Sequence, residues 1–240
     1  MAELRHYTSL RVGGPAKKFV DAHNEKEIVA AIEAAGDSPI LIIGGGTNIL
    51  VADGGFDGTV IRITNKSLEA EIDACSGATL SIGAGENWDD FVKSTITRGF
   101  AGLETLSGIP GSVGASPIQN IGAYGVEQGD CFDSLSGLPL NGPPISYSKE
   151  TCAFGYRNSI FKQELKNNFV ITRVRYLLST QPRPRLEYQD LKLRFEKSMD
   201  QAAVHHPSSD EIAKAVADII LMSNTDWDNI LEINVKTFRG

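Results

Sequence analysis

Apolar residues along this chain alternate between a helical and an extended period. Asn24, followed three residues on by Glu27, has the form of a capping box, and Ile28, Ala31, Ile32 and Ala35 then recur at helical spacing. The spacing predicts a helix that stops at Gly36. Pro39-Ile40-Leu41-Ile42-Ile43 follows without a polar break, with the length and branching expected of a strand buried on both faces. Ahead of the helix, Leu10 to Val20 reads as a loop and then a short strand, interrupted by Gly13, Gly14 and Pro15. Strand, helix, strand is the expected opening unit.

Turn residues at Asp53-Gly54-Gly55 and Asp57-Gly58 precede the branched run Thr59 to Ile63. Leu80 to Gly83 predicts another strand. Asn87 then caps a helix with Asp89 and Asp90 in its first turn and an apolar face of Trp88, Phe91, Val92, Thr95 and Ile96, ended near Gly99. Short strands are expected between Asp133 and Tyr147, and a longer one over Phe169 to Leu178. Pro182 to Pro184 reads as a connector, and Glu211 to Met222 as an amphipathic helix with Ile212, Val216, Ile219 and Ile220 on one face. The pattern predicts mixed α and β structure divided at 1–57, 58–180 and 181–240.

Composition narrows the partners. The 240 residues are 41% hydrophobic and 22% charged, ordinary for a globular protein, with net charge −7 and a pI near 5.2. No basic stripe is available to neutralise a nucleic-acid backbone, so no nucleic acid is expected. Cys75, Cys131 and Cys152 form no C-x-x-C pair, and His6, His23, His205 and His206 show no metal-ligand spacing, so neither a disulfide framework nor a metal is expected. No run approaches the roughly 18 apolar residues of a membrane span, and Met1 to Arg5 carry no apolar leader, so no membrane partner and a cytoplasmic location are expected.

Four segments carry candidate chemistry. Gly44-Gly45-Gly46-Thr47-Asn48 leaves the apolar strand, where glycines can expose consecutive N–H donors to an anion; a plain structural turn is the alternative. Gly83-Ala84-Gly85-Glu86-Asn87-Trp88 repeats the strand-to-helix exit, either as a second anion site or as a tight corner. From Gly102 to Gly125, glycines punctuate apolar residues with hardly any charge. Uncharged sequence of this length inside a domain reads as a binding loop, its Ile and Val offering walls to a flat ring and its Ser, Gln and Asn offering directional hydrogen bonds. Finally, Phe154 to Lys162 embeds Arg157 among aromatic and apolar residues, as a buried ion-pair partner or as a fixed cation aimed at a carboxylate or oxyanion.

In this order, the four segments resemble the UDP-N-acetylenolpyruvoylglucosamine reductases. Thr8 to Gly14, Pro39 to Leu50, Gly83 to Trp88, Gly102 to Glu127 and Cys152 to Lys162 carry the likeness, with IPGSVGASPIQNIGAYGVE and FGYRNSIFK its most specific strings. The resemblance implies an α+β fold: an FAD-binding domain of the vanillyl-alcohol oxidase-like type plus a substrate domain, here incomplete. It implies FAD as cofactor, NADPH as hydride donor and a UDP-sugar enolpyruvyl ether as substrate, reduced to UDP-N-acetylmuramate for peptidoglycan. Gly44, Gly45, Gly46, Thr47 and Asn48 would hold the FAD pyrophosphate. Gly108, Gly111, Ser112, Gly114, Ser116, Asn120, Ile121 and Gly122 would line the rest of the cofactor. Arg157 matches the catalytic arginine, while Tyr156 and Tyr188 match substrate-site positions.

The likeness weakens towards the C-terminus. The family continues with a serine whose hydroxyl protonates the intermediate and, later, a glutamate; neither has a counterpart after Met222, as expected of a truncated or frame-shifted product. A flavin-binding remnant with little reductase activity is the competing expectation.

Overall fold

The computed structural model describes residues 1–73, 77–181, 188–199 and 207–220. Two sheets divide the molecule. The first contains β1 (Ala2–Glu3), β2 (Pro15–Ala22), β3 (Ile40–Ile43) and β4 (Phe56–Ile63) in the order β1-β2-β4-β3. Both β2 and β3 run parallel to β4, and helix α1 (Glu25–Ala35) supplies the crossover that parallel strands need. Asn24 caps α1 through the Glu27 N–H, but the Glu27 carboxylate returns to the N–H of His23 at 2.8 Å, one residue earlier than a standard capping box.

The second sheet is antiparallel. It contains β5 (Leu68–Asp73), β6 (Gly77–Gly83), β9 (Phe132–Pro139), β10 (Ile145–Ser148) and β11 (Phe169–Leu178) in the order β10-β9-β11-β6-β5. Between β6 and β9 lie α2 (Trp88–Thr97), the long glycine loop, the hairpin of β7 (Gly122–Ala123) and β8 (Val126–Glu127), and the single turn α3 (Gln128–Cys131). The apolar face expected for α2 is fully inward, and Trp88, Phe91 and Tyr176 of β11 meet at ring distances of 5.6–5.9 Å. The Trp88 indole N–H donates to the carbonyl of Leu106, so its one polar atom is satisfied in the core.

Two expectations change. β3 is the edge strand of its sheet, and Ile40, Leu41 and Ile42 are half-buried because one side opens on a cavity; the run is not enclosed on both faces. β4 lies between β2 and β3, so pairing in the first sheet continues to Ile63, past the division drawn at Asp57. Strand β5 has little apolar patterning and went unpredicted.

Side chains alternate across β4. Ile61 and Ile63 face the main core shared with α1, α2 and the second sheet, while Val60 joins a smaller cluster with Leu4, Ala16 and Ile43 on the opposite face. Helices α4 (Gln189–Met199) and α5 (residues 209–220) pack together through Leu191, Ile212, Ala215 and Val216, with Tyr124 of the glycine loop against them. Expectations for Cys75, Pro182 to Pro184, His205, His206 and Met222 fall outside the described residues.

Candidate functional site

The glycine turn after β3 is constrained from behind. Gly46 adopts a left-handed φ of 65°, and a Cβ there would collide with the Tyr7 carbonyl oxygen, so a side chain is excluded by both torsion and space. The Gly46 carbonyl accepts the N–H of Ser9, pinning the turn to the N-terminal segment. Forward, the turn is open: among the described residues the N–H groups of Gly45, Gly46, Thr47 and Asn48 donate to no protein acceptor. A run of consecutive N–H groups left unpaired beside a concavity is equipped for an outside acceptor. They border a cavity of about 260 Å³ between the turn and the glycine loop, and a second cavity of about 260 Å³ adjoins it along Ile40 to Ile43. Thr47 Oγ1 donates to the Pro110 carbonyl and Asn48 Nδ2 to Gln119 Oε1, both at 3.4 Å, tying the turn across the cleft.

The corner Gly83 to Trp88 behaves differently. Its amides are spent inside the protein: Gly83 N–H on Ser67, Ala84 on Thr172 and Gly85 on Asn65. It is a packing corner and not a second anion cradle. The glycine loop is stitched onto it, with Val113 N–H on Glu86 and Gly114 N–H on Ala84. A Cβ at Gly114 would lie 2.5 Å from that of Ala84, so this glycine permits backbone approach.

The loop residues expected around a cofactor separate into two groups. Gly111, Ser112, Ser116 and Ile121 border the cavity beside the glycine turn, and Gly114 the adjoining one. Gly108 does not border either: its N–H donates to Asp89 at 2.7 Å and its Cα faces Ile220. The Ser116 hydroxyl is used within the protein, on the Val113 carbonyl at 2.7 Å and against the Tyr176 hydroxyl at 2.8 Å. Asn120 is similarly consumed, accepting from Gln128 and Gly129 and donating to the Glu127 carboxylate and the Gly155 carbonyl. Gly122 pairs in the hairpin. For Ser116, Asn120 and Gly122 the structure therefore favours scaffolding. Burial pushes the Tyr176 phenol far above its ordinary pKa, so Tyr176 stays neutral and its hydroxyl bonds Gln128.

Arg157 is not embedded. Gly155 and Asn158 exchange backbone bonds at 3.1 Å in a tight turn, Arg157 takes a left-handed φ of 53°, and the side chain is exposed. Its guanidinium donates to the Gly122 carbonyl at 3.4 Å, which sets it against the glycine loop. Tyr156 is 86% exposed. Tyr188 meets Tyr124 edge to face at 5.2 Å, so the loop touches both expected positions, Arg157 and Tyr188. Lys162 and Lys166 were not expected, yet both border the cavity along β3. Lys162 was already present in FGYRNSIFK, and its ammonium also bonds the Arg157 carbonyl at 3.0 Å.

Among the described residues no helix is long and apolar enough to cross a membrane. The FAD binding domain family matches residues 16–140, more than half of the chain. The chain is 41% identical over 195 residues to the UDP-N-acetylenolpyruvoylglucosamine reductase of Cutibacterium acnes, covering 80% of this chain and 52% of that one. Its likeness to the reductase of Pseudomonas syringae pv. tomato is 38% over 219 residues, 90% of this chain and 63% of that one. The crystal structure of the Thermus caldophilus reductase superposes with a TM-score of 0.61 at 28% identity, over 85% of this chain and 70% of that one. The chain thus spans about half to two thirds of the length of these curated relatives. It belongs to the FAD-binding domain family, in the line of the UDP-N-acetylenolpyruvoylglucosamine reductases.

Proposed function

We propose that the chain binds FAD between its two sheets and serves as the flavin-binding part of a cytoplasmic UDP-N-acetylenolpyruvoylglucosamine reductase of peptidoglycan precursor synthesis. The observation that carries this reading is the run of unpaired amides from Gly45 to Asn48 bordering the cavity between the turn and the glycine loop. Such amides suit a diphosphate, and the apolar walls Ile42, Ile118 and Ile121 suit a flat ring. FAD, when bound, would take a hydride from NADPH and pass it to the enolpyruvyl double bond of the UDP-sugar.

The chain's own residues would orient and polarise. Arg157, with Gly122 fixing its guanidinium, would stabilise negative charge developing beside the substrate carboxylate, an effect worth about 3 kcal/mol or more at such sites. Gly44 to Asn48 would hold the diphosphate, with Gly111, Ser112, Gly114 and Ile121 along the remainder of the cofactor. Tyr156 and Tyr188 would contact substrate from the exposed side.

The test uses the purified chain. Its visible spectrum reports bound flavin, and NADPH consumption is followed with and without UDP-N-acetylglucosamine enolpyruvate. A yellow protein with substrate-dependent consumption supports the whole proposal. A yellow protein without it retains flavin binding and removes the reductase activity, and a colourless one removes both.

A further inference from the structure

On the other side of the glycine turn lies a third, larger concavity of about 650 Å³. Arg5, His6, Tyr7, Thr8, Ser9, Arg11, Gly45 and Arg62 line it. Gly45 borders both this hollow and the cavity between the turn and the glycine loop, so the turn forms a wall between them. Arg62 sits on β4 between Ile61 and Ile63, which face the main core, so strand alternation sends it to the opposite face. There it lies over the Tyr7 ring, 5.3 Å from its centroid.

The hollow runs against the charge of the whole molecule. The chain carries a net charge of −7, yet three arginines line this surface and no carboxylate does. Two of them are steadied from outside the lining, Arg5 by Glu3 at 3.3 Å and Arg62 by Asp21 at 3.4 Å. Arg11 makes no ion pair among the described residues. It is held in place by its backbone: φ is 53°, its N–H donates to the Thr8 carbonyl, and Thr8 Oγ1 closes on the Val12 carbonyl. A left-handed torsion at a non-glycine residue costs energy and persists where the surroundings impose it. The location is favourable as well, since Arg62 and Gly45 lie at the carboxyl ends of parallel strands, where open sheets collect ligands.

We propose that this hollow is a separate anion site, taking the phosphate or diphosphate group of a small molecule through Arg5, Arg11 and Arg62. The planar guanidinium forks match phosphate oxygens, and the Thr8 and Ser9 segment supplies further polar groups beside them. The site is independent of the flavin: it lies behind the turn and uses side chains, whereas the cavity before the glycine loop is bordered by backbone amides.

The test is calorimetric titration of the full chain with pyrophosphate and, separately, ADP, in the presence and absence of saturating FAD. With FAD saturating, one equivalent of pyrophosphate should bind without displacing flavin; without FAD, the amide turn should take up a further equivalent that does not depend on Arg11. Arg11→Gln, an exposed and unpaired position, should weaken the binding seen with FAD about tenfold, and Arg62→Gln should act in the same direction. With FAD saturating, tighter binding of ADP would assign a nucleotide, and equal or weaker binding a free phosphate compound; both support the site. With FAD saturating, no saturable binding, binding unchanged by both variants, or binding that displaces FAD would overturn it. A chain that takes no FAD but still binds pyrophosphate in an Arg11-dependent way would leave this site standing while the flavin reading falls.

Discussion

Two glycine-rich segments border the same cleft and use their polar groups in opposite ways. From Gly45 to Asn48 the amides are unpaired in residues that border the cavity. In the loop opposite, the Ser116 and Asn120 side chains turn inward, into a network joining Tyr176, Gln128, Glu127 and Gly155. The first segment is equipped to hold a ligand. The second holds the loop, and through Gly155 it holds the turn that carries Arg157. The destination of the hydrogen bonds separates ligand holder from scaffold.

The sharpest way to break this contrast is at the turn itself. Gly46→Val places a branched side chain at a left-handed torsion against the Tyr7 carbonyl. It should cost about 3 kcal/mol or more in urea unfolding, and flavin should be lost with it. Asn120→Ala should cost a similar or slightly smaller amount, about 3 kcal/mol, because the Gly129 N–H, Gln128 amide and Gly155 carbonyl lose a buried partner together. Under conditions where this variant stays folded, its flavin affinity should stay close to that of the parent. Equal loss of flavin would mean that Asn120 belongs to the binding surface.

Tyr176→Phe keeps the ring and removes the hydroxyl shared with Ser116 and Gln128, for about 1–2 kcal/mol of stability. Thr47→Ala should invert that pattern, with stability within about 0.5 kcal/mol of the parent and flavin binding weakened by about 1 kcal/mol. The smallest effect concerns Cys152, buried behind the Arg157 turn, whose thiol burial pushes up to about 12. In the unfolded chain it ionises from its ordinary value near 9. Its contribution to stability is therefore intact below pH 9 and drains as pH climbs towards 12. Alkylation at pH 8.5 should be far slower in folded than in denatured protein, and comparable rates would mean that the turn opens readily.

Much of this was legible in the sequence, and for identifiable reasons. Helices α1 and α2 announce themselves by caps at Asn24 and Asn87 and by apolar faces that are indeed inward. Strand β11 matches the expected Phe169 to Leu178. Strand β5 was invisible because residues from Glu69 to Asp73 are exposed and make the strand through pairing with β6. The edge position of β3 was also hidden, since an apolar run reads alike beside a cavity and inside a sheet.

At the site, composition located the cleft but could not orient side chains. Ser116 and Asn120 looked like ligand donors because their residue types are good donors, and their partners lie as far away as position 176. Arg157 looked embedded because its neighbours in sequence are apolar, while a left-handed turn carries it outward. The unpaired amides of Gly45 to Asn48 follow from a backbone conformation that no residue pattern states outright.

The amides can be watched directly. In an amide-resolved NMR titration of the purified chain, FAD and ADP share a diphosphate and riboflavin lacks one. FAD and ADP should both shift the resonances of Gly45, Gly46, Thr47 and Asn48, and riboflavin should leave them in place. Shifts at those four residues that are absent with FAD, or equally large with riboflavin, would contradict a diphosphate held by the turn.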